Sequence, residues 1–148
     1  MSVKNVTVRE AHQKQADGYT YVDVRSIPEF NQGHPAGAVN VPLLHRDERT
    51  GQMSPNQDFV PVMKSAFPRD AKLLIGCQAG ARSAQAAQLL EAAGFTDVTN
   101  VLGGFGGARD QMGTVRQGWS QAGLPIDRTA APGASYDELR SKAAKTTP

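Results

Sequence analysis

Short apolar bursts alternate with longer polar segments of helical period along this chain, the pattern that βαβ units around a parallel sheet leave in a sequence. Four bursts are clear: TYVDV at 20–24, GAVNVP at 37–42, KLLIG at 72–76 and VTNVL at 98–102; NVTV at 5–8 is a weaker fifth. Between them, 8–16 is predicted as a helix with Thr7 as N-cap, and 56–67 as a second that ends before Pro68. The strongest helical pattern follows the third burst. There Ala86, Leu89, Leu90 and Ala93 fall at i, i+3, i+4 and i+7, one apolar stripe for packing on a sheet, and Gly94 stands where a left-handed C-terminal cap belongs. Past Ile126, Pro132 and Gly133 break any continuing element, while Ser135 and Glu138 have capping-box spacing, so a short terminal helix is expected.

Composition narrows the function classes. A chain of 148 residues is long enough for one domain whose core needs no metal or disulfide staple. Its 16 basic and 14 acidic residues leave a formal charge of +2, with no basic run longer than two, which is no electrostatic footprint for nucleic acid. No apolar run approaches the ~20 residues of a membrane helix, and the polar N-terminus lacks the pattern of a signal peptide. One cysteine makes no internal disulfide, so a reducing cytoplasm is the expected compartment. His12, His34 and His45 have no metal-ligand spacing and no Cys or carboxylate cluster completes a site, so neither metal nor cofactor is expected.

The cysteine, Cys77, directly follows the third burst and precedes a small-residue loop and a helix. That places it at the carboxyl edge of a parallel sheet, where open α/β folds bind ligands. A helix N-terminus there favours negative charge and hence a thiolate. In the loop CQAGARS, residues Gln78, Ala79, Gly80 and Ala81 carry little bulk, so successive N–H groups can form an anion-binding nest. Arg82 adds a cation whose direction, into the cradle or out to a structural carboxylate, spacing does not decide; Ser83 either caps the helix or touches the substrate. The alternative is a buried cysteine acting as a small hydrophobe. The glycine-containing loop and Arg82 favour the reactive reading.

YVDVRSIPEF, QGHPAGAVNVP, IGCQAGARSAQAAQLLEAAGF and VTNVLGGF follow one another in the order of rhodanese motifs, and the chain resembles a single-domain rhodanese from about Val6 to Ile126. The resemblance implies an α/β fold, a five-stranded parallel sheet with helices on both faces. It places the domain at 1–128 and a C-terminal extension with a short helix at 129–148. It also implies that Cys77 attacks the outer sulfur of a small donor such as thiosulfate, carries it as a persulfide, and passes it to cyanide or a thiol, a thiol protein included. Residues 78–83 would bind the substrate, with their N–H groups holding the anionic sulfur and Arg82 binding the anion. The mercaptopyruvate branch carries a different loop, Cys-Gly-Ser-Gly-Val-Thr, which makes thiosulfate the expected donor.

Rival readings are separable. A persulfide carrier serving a partner protein also needs Cys77. A cysteine phosphatase or arsenate reductase is disfavoured, because those phosphatases keep five residues between Cys and Arg where Cys77 and Arg82 enclose four, and because no resolving thiol exists. Outside the loop, Arg25 is spaced to meet Glu29 in an ion pair that holds a turn, and His34 is expected to be structural. Gly103 and Gly104 match a family glycine pair that turns the chain beside the active site. Ala108 stands where a Trp is common and Trp119 arrives later, which implies an insertion of roughly ten residues within 106–118. A second long connection, NVPLLHRDERTGQMSPNQDF, is charged and expected to be exposed.

Overall fold

A computed structural model describes residues 4–47, 49–79, 81–109 and 112–146. In chain order they form β1 (Lys4–Val6), α1 (Val8–Ala16), β2 (Thr20–Asp23), α2 (Ile27–Gln32), β3 (His34–Pro35), β4 (Val39–Asn40), β5 (Leu44–Arg46) and β6 (Met53–Pro55). There follow α3 (Phe59–Ala66), β7 (Leu73–Gly76), α4 (Ala81–Ala92), β8 (Val98–Val101), β9 (Ala108–Arg109), β10 (Val115–Arg116), β11 (Ile126–Asp127) and α5 (Tyr136–Thr146). Five strands pair in parallel in the order β1-β8-β7-β2-β4. The central strand, β7, is buried at all four residues, as a continuous apolar run between two covered faces must be.

Alternation along the strands sorts the core into two layers. Val22, Leu73 and Ile75 pack with Met63, Leu90, Tyr136 and Leu139, so α3, α4 and α5 cover one face. Tyr21, Leu74 and Val101 pack with Ala11, Phe30 and Trp119, so α1 and α2 cover the other. The doubly covered five-stranded sheet expected from the sequence is the one observed.

Local chemistry sets the boundaries. Thr7 caps α1 as predicted: its hydroxyl accepts from the Glu10 N–H at 3.2 Å and Glu10 in return accepts from the Thr7 N–H at 2.9 Å. The second predicted helix starts three residues late, at Phe59, because Asn56 is used otherwise. Its Oδ1 accepts from the Asp58 N–H, and its Nδ2 donates to the Pro42 carbonyl and to the Tyr136 hydroxyl. The burst at 37–42 yields only the two residues of β4, since Gly37, at φ +84°, turns the chain immediately before it.

One correction concerns α4. Leu89 is 42% exposed, while Ser83, Ala86, Ala87 and Leu90 form the buried stripe. These four also satisfy i, i+3, i+4 and i+7, but with small residues that let the helix sit close on β7 and β8. Gly94 adopts φ +106°, as its capping place required.

Both long connections are hairpins. Residues 42–58 carry the antiparallel pair β5 and β6, with the Asn56 N–H returning to the Leu43 carbonyl. The insertion forms β9 and β10 and closes on its own base: the Trp119 N–H donates to the Gly104 carbonyl and the Ser120 N–H to that of Phe105. Trp119 is fully buried, its indole N–H held by the Pro125 carbonyl at 2.7 Å. The segment after 128 is docked: Glu138 closes the α5 cap with Ser135, and Tyr136 and Leu139 enter the core against α3.

Candidate active site

The strand β7 delivers Cys77 to the carboxyl edge of the sheet, and α4 begins four residues later. The opening amides of any helix lack an i−4 partner, so a helix start beside the cysteine offers backbone donors that suit an anion. Cys77 is 2% exposed and its Sγ lies 3.4 Å from the Ser83 Oγ, to which the thiol donates. Ionisation reverses that bond, with the serine hydroxyl donating to the thiolate. Ser83 is the polar member of the buried α4 stripe, which is how a helix face chosen for packing also aims a hydroxyl at the sulfur. Gln78, Ala79 and Ala81 are exposed and form the outer rim; Gly80 lies outside the described residues.

The glycine pair is set against this loop. The Cys77 carbonyl accepts from the Phe105 N–H at 2.7 Å and the Gln78 carbonyl from the Gly106 N–H at 3.0 Å. Gly104 has φ +56°, and a Cβ there would fall on the Cys77 carbonyl oxygen. Behind the cysteine, Gly76 leaves room for the Tyr21 hydroxyl, which a Cβ would strike. Burial, with the nearby Asp23 carboxylate, pushes the Tyr21 phenol well up and keeps it neutral.

Two arginines frame the site, and the first differs from its expected partner. Arg25 does not pair with Glu29. Its Nε and Nη2 bind the Asp23 carboxylate, with the shortest contact at 2.7 Å, and both side chains are nearly fully buried. Glu29 instead receives Arg82, in a fork of 2.7 and 3.0 Å. Of the two directions that spacing left open, Arg82 takes the one toward a structural carboxylate, and the pair ties α4 to α2. Burial pushes the Glu29 carboxyl up, but the Arg82 guanidinium and the Ser26 donors outweigh it and hold the group at about 2. The carboxylate in turn raises the Arg82 guanidinium. The partner of Glu29 is 53 residues away, so no local spacing announces it.

His34 is structural, as expected. It is buried, stacks on Phe30 with ring centroids 3.6 Å apart, and donates from Nδ1 to the Phe30 carbonyl at 2.8 Å. Among the described residues no group of three His, Cys, Asp or Glu side chains is placed to hold a metal, and no helix is long and apolar enough to cross a membrane.

Comparison with known proteins agrees with this geometry. The Rhodanese-like domain family matches residues 7–110. The chain belongs to the rhodanese family. Thiosulfate sulfurtransferase 16, a chloroplastic protein of Arabidopsis thaliana, is 38% identical over 121 residues, 82% of this chain and 90% of that protein. The senescence-associated protein DIN1 of Raphanus sativus is 40% identical over 102 residues, 68% of this chain, which spans about half (54%) of that longer protein. The crystal structure of Rv0390 from M. tuberculosis superposes with a TM-score of 0.71 at 29% identity, covering 87% of this chain and 100% of that one.

Proposed function

We propose that this rhodanese is a thiosulfate sulfurtransferase working through a persulfide on Cys77. The observation that carries the reading is the chain's only cysteine at the junction of β7 and α4, with the Ser83 hydroxyl on its sulfur. In the first half-reaction the Cys77 thiolate attacks the outer sulfur of thiosulfate; the new S–S bond forms as the old one breaks, and its electron pair leaves with sulfite. In the second, cyanide or a thiolate attacks the outer sulfur of the persulfide, and the pair returns to Cys77. Splitting one transfer into two steps is what a covalent nucleophile contributes. Ser83 and the amides of 78–83 hold the anionic sulfur in each step. Names of relatives such as Thiosulfate sulfurtransferase 16 support the donor. With a single thiol the acceptor is external.

Intact mass after brief exposure to thiosulfate tests this. A gain of one sulfur, ~32 Da, that cyanide removes as thiocyanate with multiple turnovers, and that Cys77→Ser abolishes, is the expected result. The near-complete burial of Cys77 favours one second reading, a persulfide carrier loaded by a partner protein. A carrier takes up one sulfur from a protein donor and shows no turnover with thiosulfate and cyanide.

A further inference from the structure

The transferase steps leave the buried Asp23–Arg25 pair unused, and the Arg25 guanidinium is the member that reaches the cysteine loop. Its environment is largely self-sufficient. Asp23 neutralises it, the Gly33 carbonyl accepts from Nη2 at 2.6 Å, and Asn40 holds the local backbone by donating to the Asp23 and Arg25 carbonyls at 2.9 and 3.0 Å. Nη1 is the nitrogen that reaches the cysteine loop, donating to the Oε1 of Gln78 at 3.3 Å. The guanidinium carbon also stands 4.4 Å from the centroid of the Phe105 ring. Arg25 therefore touches the first residue after Cys77 and the residue whose N–H holds the Cys77 carbonyl.

Gln78 is fixed at both ends by this arrangement. An arginine only donates, so the amide oxygen of Gln78 is the end that faces Arg25. Its nitrogen is left against Gly106, where a Cβ would strike it, and its backbone carbonyl accepts from the Gly106 N–H. Yet Gln78 is solvent-exposed, and the core does not depend on its side chain. A buried arginine thus extends one N–H to an exposed loop residue that needs no structural support from it.

We propose that Arg25 is a positioning residue for the cysteine loop, acting through Gln78 and Phe105 to keep the first turn after Cys77 in one geometry while sulfur is loaded and released. The inference rests on the transferase reading for its catalytic consequence, but its geometric content does not. Small displacements of reacting groups cost large factors in rate. We therefore expect Gln78→Leu, which keeps size and loses the acceptor, to lower kcat/KM for thiosulfate about tenfold with little change in Tm. Gln78→Glu, which still accepts from Nη1, regains part of what Gln78→Leu loses in both turnover and alkylation rate. Arg25→Lys, which keeps charge and loses the fork, falls about as far as Gln78→Leu.

The deciding measurement is a double-mutant cycle with two readouts: thiosulfate turnover, and the rate at which iodoacetamide alkylates Cys77. If both residues act through one link, the Arg25→Lys, Gln78→Leu double variant loses no more than the worse single variant in either readout. Losses that multiply, or a Gln78→Leu protein unchanged in both, overturn the proposal. Absence of thiocyanate from the unaltered protein overturns the transferase reading alone, because the alkylation cycle still supports or refutes the link.

Discussion

Two carboxylate–guanidinium pairs surround the cysteine loop, and their exposure makes them physically different. The Asp23–Arg25 pair is almost wholly excluded from water, whereas Arg82 and Glu29 retain 21% and 28% exposure. A buried pair resists removal of one member more than it adds net stability, while a half-exposed pair is modest in worth and titrates. Glu29 carries the consequence. Its carboxyl is held at about 2 against an ordinary 4.5, so its contribution to stability is full above pH about 4.5 and is lost as pH falls through about 2. Glu29→Gln should accordingly cost on the order of 1 kcal/mol at pH 7. The difference from the unaltered protein should shrink steadily between pH 4.5 and 2.5 in urea unfolding. An undiminished difference in acid would show that the carboxylate charge is not what holds Arg82. Neither partnership was legible in DVRSIPEF: a pairing of Arg25 with Glu29 four residues on is the natural local reading, and the fold replaces it with one contact at i−2 and another across 53 residues.

Among the elements, α4 shows how a correct helix can be given the wrong face. Sequence patterning weights large apolar residues, so Leu89 and Leu90 were both assigned to the stripe, although adjacent residues on a helix point about 100° apart. Packing chose Ser83, Ala86, Ala87 and Leu90. Leu90→Ala should therefore cost about 2–4 kcal/mol, whereas Leu89→Ala should stay within about 0.5 kcal/mol, both read from chemical denaturation. Equal costs would contradict the observed face. The bursts, by contrast, were legible as strands because β-branched apolar residues recur in them, and β7, covered on both faces, is apolar throughout. The capped helix α1 was legible because Thr7 announces its own start. The hairpins in the two long connections were not, since their strands are two or three residues long and hold no run of apolar residues.

At the scale of the whole molecule, the chain after 128 is bonded into the fold at several separate points. The Asn40 N–H donates to the Ala134 carbonyl, Tyr136 shares its hydroxyl with Asn56, and Leu139 is 8% exposed in the core beside α3. Burying two such side chains is worth about 3–6 kcal/mol together. A chain ending at residue 128 should then melt roughly 10 °C or more below the full one. An unchanged Tm would mean that α5 is an appendage. The hairpin of β9 and β10 is attached in the contrary manner. It departs at Gly107 and returns at Gly118, where a Cβ would meet the Gly107 nitrogen, and the bonds from Trp119 and Ser120 to Gly104 and Phe105 lock the neck. The bonds to the cysteine loop come from Phe105 and Gly106, on the near side of that neck. The position is thus a natural splice point, where a reporter domain could be carried, or the chain divided into two complementing fragments, while the sulfur site beneath it stays assembled.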